Sequence, residues 1–585
     1  MRSNPLEQTN AAADRNPWVI PSLIIFLVAA NSFTAWFIGQ EKYIYHWDLL
    51  NYWSKYAYLT ENFLPAPVDT LRTVYYSIRE DNYNYLSALF LMPFGLLFGV
   101  SRLAYILAIV NVFAFPVAAL FMILHRKASE LMGYHSKYLP LICVGTILIS
   151  PNFWHPLFYG YLDAGGWILI NIVLWTYLKR PYAEQRLPDF VLVAVLIAGL
   201  ALFRRWYTIW GLAFYATLAI EAVLIGPFLN RQFDLKSIAK VLLMIFLQAS
   251  ITAGIFFAAA PVFALRILTT NYVDLNSAYK NTANLFESLL LVLGPLGLVF
   301  LSLFLLGAVS AVLHPRTRRF ALFLLVQWPL LFWLFARNQD FDCHQLYLLL
   351  QAVLLFAMLG ITRLVVKPAK FKPLVMAGLI SILVLNFGAA FKVKGAWITK
   401  ALPGVLTNVR HPPLVRHDMS EIERLLKTLG ELLTDPGDRI YVLHSSYDLN
   451  QNVLDSAYLS LGPQYKETSK RIVRTRNVDK RDGFPEELLT AKYVILGYPM
   501  HWAVNEKDQR VVGVPAELIR TRQGIGAAFE KLPYEFDLAD DVKVTIYRKV
   551  RPFSNAALDD LSDRLRAYYP DRKNIYEIPV KLRGL

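Results

Sequence analysis

Residues 43–53 form the stretch YIYHWDLLNYW, in which one acid, Asp48, stands among aromatic side chains. The stretch begins a few residues after the first long apolar run, which extends from about Trp18 to Ile38. Tyrosine and tryptophan favour the boundary between a membrane and water, so the pattern predicts a carboxylate at the edge of a bilayer. Such a carboxylate can act as a general base or bind a cation, and an ordinary solvated loop residue is the alternative.

The composition is typical of a membrane protein. Of the 585 residues, 56% are hydrophobic, and several apolar runs approach the ~20 residues that cross a bilayer. The first run is too long for a cleavable signal and lacks a small-residue cleavage site, which predicts a retained anchor with the N-terminus inside. The net charge of +15 is explained by positive-inside loops, so no nucleic-acid partner is expected.

Several other classes of site are excluded by missing motifs. The two cysteines, Cys143 and Cys343, cannot build a disulfide framework. The sequence has no phosphate-binding loop and no glycine-rich dinucleotide fingerprint, which argues against an ATP-driven pump. Neither histidines nor cysteines show metal-ligand spacing, so no metal site and no certain cofactor are predicted. Two carboxylates from separate loops that together hold Mg²⁺ or Mn²⁺ are an open alternative.

The distribution of lysine and arginine predicts the topology, because cytoplasmic loops carry the excess of these residues. We expect a polytopic α-helical membrane protein with about 11–13 transmembrane helices, 11 being favoured, and a C-terminal soluble α/β domain. Residues 1–16 are predicted to be a cytoplasmic tail. Residues 17–391 are predicted to be the transmembrane module, with a first external loop at 39–82. Residues 392–585 are predicted to be an external, periplasmic domain.

The polar last third of the chain carries the signals of the α/β domain. Short apolar segments at 439–443, 493–496 and 542–547 are typical of strands. Helices are expected near 515–532 and 556–568. Ser420, followed three residues later by Glu423, predicts a capping box that opens a further helix ending near residue 433.

Charged residues gather in the loops that are predicted to be external. Arg204 and Arg205 lie between two apolar runs, where guanidinium groups are costly unless they are paired or reach water. A lipid phosphate would satisfy them through charge-assisted hydrogen bonds, and contact with headgroups or pairing with a nearby acid is the alternative. The other candidates are Asp163 within FYGYLDAGG, the pair Glu80-Asp81, Arg337 and His344.

Four short motifs together resemble the multi-spanning glycosyltransferases of the GT-C class, in particular the family 39-like branch of protein O-mannosyltransferases and lipid A aminoarabinose transferases. Asp48 follows the first span in an aromatic setting, as the catalytic Asp of that class does. The other motifs are DNYNY (81–85) leading into LMPFGLLFG (91–99) and SRL (101–103), YLDA (161–164), and GLALFRR (199–205). The likeness covers roughly the first 390 residues. Two departures are Leu49 in place of a second acid and the missing proline in YLDA.

The resemblance implies an enzyme that moves a hexosyl or pentosyl unit from a polyprenyl-phosphate-linked sugar. The acceptor would be an envelope glycan, a lipid or a protein on the external face of an inner (plasma) membrane. A departing lipid phosphate needs cations to stabilise it, and the acceptor hydroxyl needs a base to take its proton. A transporter or flippase of lipid-linked glycans, or a glycan polymerase or ligase, is the alternative.

The site roles follow from the same resemblance. Asp48 would be the general base, and Asp163 would be a second catalytic residue that orients the substrate. A single base opposite the leaving group would give direct displacement with inversion, as a hypothesis. The substrate-binding residues would be Arg204 and Arg205 on the phosphate, with Arg337, His344, Glu80 and Asp81 as further candidates.

Overall fold

A computed structural model describes residues 16–180, 182–230, 233–367, 372–391, 402, 404–571 and 576–578. The chain forms two compact units, and each consists of three segments. The first unit comprises Met1–Gly39, Tyr52–Thr270 and Thr282–Pro413, and the second comprises Gln40–Asn51, Asn271–Asn281 and Leu414–Leu585. The predicted tail lies outside the described residues except for Asn16, and so does the start of the predicted external domain at 392–401. The predicted domain boundaries stay predictions.

The first unit is a bundle of apolar helices, and the chain is a multi-pass membrane protein, as predicted. Within the described ranges, eight helices are long and apolar enough to cross a membrane: Val19–Ile38, Arg102–Leu131, Tyr207–Leu229, Leu235–Ala259, Leu285–Leu313, Pro315–Ala336, Tyr347–Val366 and Lys372–Phe391. A ninth span results if the bent pair Leu139–Leu148 and Pro151–Phe158 counts as one. The sequence predicts the first span at about Trp18–Ile38 and the last at about Pro373–Phe391, and the observed helices agree with both to within one residue.

Shorter helices account for the difference between this number and the predicted 11–13 spans. Leu187–Phe203 has 17 residues and Gly166–Lys179 has 14, so each is below the usual spanning length. The other α-helices of the unit include Pro67–Glu80, Leu86–Leu89, Met92–Phe98 and Pro261–Thr269, and most of helix Asp48–Phe63 also belongs to it. A sequence pattern identifies such apolar runs as spans but does not show whether they cross the membrane. The total of 11–13 spans therefore stays a prediction.

Small residues allow two of the spans to pack closely. Leu285–Leu313 lies along Tyr347–Val366, and the contact is centred on Gly307 and Gly360. A Cβ atom at Gly307 would lie 1.8 Å from the carbonyl oxygen of Phe356. Glycine is therefore required at Gly307, as is usual where transmembrane backbones approach each other.

The second unit contains a four-stranded mixed sheet, which confirms the predicted α/β domain. Its strands are β1 (Ile440–Leu443), β2 (Tyr493–Tyr498), β3 (Phe529–Asp537) and β4 (Lys543–Lys549), in the order β1-β2-β4-β3. β1 is parallel to β2, and the other two pairs are antiparallel. The principal helices are Met419–Leu432, Arg510–Thr521 and Asn555–Ala567.

Alternation along the strands builds one hydrophobic core on each face of this sheet. Tyr441 and Leu443 of β1 belong to one core, together with helices Arg510–Thr521 and Asn555–Ala567. Ile440 and Val442 of the same strand belong to the other core, which helix Met419–Leu432 covers. The period of two thus gives a sheet between two helical layers.

Two expectations for this unit are wrong in detail. The helix expected over 515–532 ends at Thr521, and β3 begins at Phe529. The predicted capping box at Ser420 is not formed, because the helix begins at Met419 and Asp418 is its N-cap residue. Arg416 holds the Asp418 carboxylate through hydrogen bonds of 2.6 and 2.9 Å.

Candidate functional site

An ion pair between Asp163 and Arg204 lies buried in the first unit. Nη2 of Arg204 is 2.9 Å from Oδ2 of Asp163, and its Nε donates to Oδ1 at 3.1 Å. The two residues are only 2% and 4% exposed. This two-pronged geometry is the strongest that arginine makes with a carboxylate, and it corresponds to the predicted alternative in which Arg204 pairs with a nearby acid.

Helix ends and glycines bring the two charges together. Asp163 opens the short turn Asp163–Gly165, and Arg204 follows Leu187–Phe203 with an extended backbone. A Cβ atom at Gly165 would lie 2.4 Å from the Phe203 ring. A Cβ atom at Gly166 would lie 2.2 Å from the Tyr207 ring. The glycines after Asp163 therefore let this turn pack directly against the segment that carries Arg204.

Two tyrosines complete the surroundings of the pair. Nη1 of Arg204 donates to the Tyr52 hydroxyl, and the guanidinium lies 4.7 Å from the centre of the Tyr52 ring. The Tyr207 hydroxyl donates to the backbone carbonyl of Asp163 at 2.6 Å. Burial disfavours a charged Arg204, but Asp163 and Tyr52 outweigh it and raise its pKa above the ordinary value. Arg204 is therefore a permanent cation in this cluster.

Arg205 has a different environment from its neighbour. It is half-buried, and its Nη2 donates to the Tyr83 hydroxyl at 3.0 Å. Its guanidinium lies 4.7 Å from the centre of the Tyr83 ring and 4.1 Å from that of Trp206. Aromatic faces stabilise a guanidinium through cation–π contacts.

His344, another of the predicted site residues, lies in the same cluster. It is 3% exposed and stacks on Tyr161 with 4.1 Å between ring centres. Burial, followed by the charges of Arg204 and Arg205, lowers the pKa of His344 well below its usual range. The imidazole is therefore neutral and can offer an N–H donor without adding charge.

The other predicted residues differ in burial and surroundings. Glu80 and Asp81 are exposed at the end of helix Pro67–Glu80. Arg337 is exposed and lies 4.9 Å from the centre of the Trp333 ring. Asp48 is half-buried at the start of helix Asp48–Phe63 and belongs to the second unit.

Sequence reasoning missed the tyrosines and one lysine. Tyr52, Tyr83 and Tyr207 contact the two arginines or Asp163, and Lys55 lies 5.6 Å from the centre of the Tyr52 ring. A signal existed, since Tyr52 stands in the aromatic stretch and Lys55 follows it at a spacing that shares a helix face. The hydroxyl partners themselves depend on contacts across 152 residues of chain, as between Tyr52 and Arg204.

Two groups of side chains among the described residues have metal-ligand spacing. Asp342, Cys343 and His344 each offer a ligand atom within 4.8 Å of the others, and so do Asp448, His501 and Asp540. A thiol and an imidazole do not match the oxygen ligands that Mg²⁺ prefers, and the two arginines near His344 oppose a further cation. The predicted Mg²⁺ or Mn²⁺ alternative stays a prediction.

No family model matches this chain, and no curated protein matches it. Among solved structures, it is similar to ArnT from Cupriavidus metallidurans bound to undecaprenyl phosphate, at 12% identity and a TM-score of 0.47, covering 89% of this chain and 97% of that one. It is also similar to the oligosaccharyltransferase AglB from Archaeoglobus fulgidus in complex with an inhibitory peptide and a dolichol-phosphate, at 12% identity and a TM-score of 0.46, covering 82% and 69%. A third is the arabinofuranosyltransferase AftD from Mycobacteria, at 12% identity and a TM-score of 0.44, covering 92% and 40%. All three are GT-C glycosyltransferases, the class that the motifs resemble. At this identity the likeness concerns the fold.

Proposed function

We propose that this protein is a membrane glycosyltransferase that uses a polyprenyl-phosphate-linked sugar and acts on the external face of an inner (plasma) membrane. The acceptor would be an envelope glycan, a lipid or a protein. The observation that carries the proposal is the cluster of Asp163, Arg204, Arg205 and His344 at the ends of apolar helices. Ionisable groups at such places serve substrates or ions by default, because their burial is otherwise costly.

The arrangement of the two arginines supports a different role for each. Arg204 already holds the Asp163 carboxylate, so its role is to fix Asp163 and to supply a fixed positive field. Arg205, held by aromatic faces, is the group that binds the phosphate oxygens in two-pronged fashion. A neutral His344 adds one hydrogen-bond donor to the same anion. Arg337, Glu80 and Asp81, which are exposed, would contact the outer parts of a substrate.

The chemistry then requires one base. The acceptor hydroxyl oxygen attacks the anomeric carbon, and its proton passes to the Asp48 carboxylate. The bond between that carbon and the phosphate oxygen breaks, and the polyprenyl phosphate leaves with the electron pair. Arg205 stabilises the charge that develops on the leaving phosphate. Such electrostatic stabilisation is usually the largest single contribution to catalysis. Asp163 orients the sugar through hydrogen bonds to its hydroxyl groups.

Binding of the carrier lipid, undecaprenyl phosphate, tests the role of Arg205. In Arg205→Gln, we expect the affinity of the full chain for undecaprenyl phosphate, measured by native mass spectrometry, to fall about tenfold, because one charge-assisted contact is lost. The matched control is Arg79→Gln, since Arg79 is also half-buried and also donates to a tyrosine hydroxyl, that of Tyr75, at 2.8 Å, but is not one of the four residues of the cluster. Unchanged affinity in Arg205→Gln would discard the phosphate assignment.

Product formation tests the role of Asp48. The product is found by comparing surface glycans and lipids of cells with and without the protein by mass spectrometry. Asp48→Asn should reduce its formation by roughly 10²–10⁴-fold, the usual contribution of a general base, while undecaprenyl phosphate binding stays at the wild-type level. Full product from cells carrying Asp48→Asn would remove Asp48 from this role.

A further inference from the structure

A polar cavity of about 270 Å³ lies within the second unit. Its walls include an indole, an imidazole, side-chain amides and two guanidinium groups; those that matter here are Trp47, His444, Asn452, Arg474, Arg481 and Asp482. Small-molecule sites begin at about 300 Å³. The volume therefore fits one sugar-sized ring and not an extended chain.

The cavity lies where α/β sheets bind ligands. His444 directly follows β1, which is parallel to β2, and ligands of such sheets bind beyond the carboxyl ends of parallel strands. Both ring nitrogens of His444 are fixed, one by the Gly497 carbonyl at 3.2 Å and the other by Ser446 Oγ at 3.1 Å. Gly497 makes room for this ring, since a Cβ atom there would lie 2.8 Å from Nδ1. The wall of the cavity is thus rigid.

The positive and negative charges of the cavity lining do not cancel. Asp482 is 5% exposed and accepts from Arg474 at 3.1 Å and from Arg481 at 2.9 Å. The backbone N–H groups of Asn477 and Val478 also donate to it, each at 3.0 Å. One buried acid facing two guanidinium groups leaves a net charge of +1 on these three side chains. The Arg474 side chain is 62% exposed and lines the cavity, so its guanidinium, which carries five N–H donors, is available to an anion there.

Trp47 supplies an aromatic wall in a strained position. Its φ of 47° lies in the left-handed region, which is strained for a residue other than glycine and occurs often at functional sites. The ring is held edge-on by Tyr447, with 5.2 Å between ring centres, and by His46, with 5.0 Å. The next residue in the chain is Asp48, so the wall of the cavity is bonded directly to the proposed base.

We infer that this cavity binds a sugar ring carrying one anionic group, a carboxylate or a phosphate, as part of the acceptor. The charge would be held by Arg474, the ring hydroxyls by amides such as Asn452, and the apolar face of the ring by Trp47. The assignment rests on the proposed function, in which the acceptor hydroxyl gives its proton to Asp48.

The test measures binding of D-glucuronate, D-glucose 6-phosphate and D-glucose to the full chain in detergent micelles by saturation-transfer NMR. Glucuronate or glucose 6-phosphate should bind at least fivefold more tightly than glucose. Arg474→Gln should abolish that preference. The control is Arg548→Gln, because Arg548 is also an exposed arginine paired with one acid, Glu530, but lies outside the cavity.

Comparison of the three sugars shows which anionic group the cavity binds. A preference for glucuronate identifies a carboxylate ligand, and a preference for glucose 6-phosphate identifies a phosphate. Equal affinity for all three, no saturable binding up to about 10 mM, or the same loss in Arg548→Gln would overturn the inference. Undecaprenyl phosphate binding by Arg474→Gln should equal that of the wild type. The sugar test can therefore fail while the undecaprenyl phosphate test succeeds, and the undecaprenyl phosphate test can fail while the sugar test succeeds.

Discussion

The buried pair of Asp163 and Arg204 gives the sharpest prediction about stability. Asp163→Asn keeps the size of the side chain but removes its charge, so Arg204 remains buried without a counter-charge. Both side chains are nearly inaccessible, at 3% and 2% exposed. Removing one partner of such a pair costs about 3–5 kcal/mol. Because the amide oxygen can still accept one hydrogen bond, we expect the lower end of that range.

The assay is thermal unfolding in detergent micelles, followed by tryptophan fluorescence. Each kcal/mol corresponds to about 2–4 °C in domains of moderate size, so the midpoint should fall by at least about 5 °C. The matched control is Asp189→Asn, because Asp189 pairs with Arg180 at 3.2 Å with side chains 26% and 27% exposed. This pair is partly exposed, and pairs that solvent screens contribute at most about 1 kcal/mol, so this variant should lose little.

A double variant separates the pair from its surroundings. Asp163→Asn with Arg204→Met removes both charges, and the midpoint should recover most of what the single change lost, since an uncharged pair of similar volume is tolerated. If the two single changes simply add in the double variant, or if Asp163→Asn unfolds no earlier than Asp189→Asn, the pair is not coupled and the reasoning fails.

Two further expectations concern packing and pH. Gly166→Ala should destabilise the protein by about 1–3 kcal/mol, because the new Cβ would lie 2.2 Å from the Tyr207 ring. Gly145→Ala should be harmless, since no atom lies within 4 Å of a Cβ there, and equal midpoints for the two variants would contradict the packing. Burial raises the pKa of Asp455 from its ordinary 3.8 to about 6, so its folded form holds a proton more tightly than the unfolded chain does. Its contribution to stability is complete below pH 3.8 and is lost as the pH rises through about 6. Asp455→Asn should flatten that decline in the unfolding midpoint, and an unchanged slope would contradict it.

The sequence predicted the apolar helices well because their signal is local. A run of about 20 apolar residues has few alternatives in a bilayer, and the first and last spans agree with their predicted limits to one residue. β3 was missed for the opposite reason. It is an edge strand with an irregular register between Lys531 and Glu535, and it contains Pro533. Both features interrupt the alternation by which strands are found.

The candidate site was predicted in part. Asp163, Arg204 and His344 became candidates because the sequence places them near the ends of apolar runs. The motifs around Asp163 and Arg204 also resemble the GT-C class. The fold brings these three residues together. Their partners could not be predicted, since the choice for Arg204 between an acid and a phosphate depends on how distant helix ends meet. Asp163 and Arg204 are separated by 41 residues, and no local spacing encodes that contact.

The second unit is assembled from three separate segments of the chain. This has a practical consequence for anyone who wishes to express it alone or transfer it to another protein. Ile44 is fully buried in one of its cores, and the backbone of Lys42 pairs with Leu414 and Arg416 through hydrogen bonds of 2.9 and 2.8 Å. Lys480 meets Asp274 from the middle segment at 3.3 Å. A fragment cut at Leu414 would leave behind a core residue and the segment whose backbone pairs with residues 414–416, and would expose the apolar surface beneath them. A chimaera should therefore exchange all three segments at once.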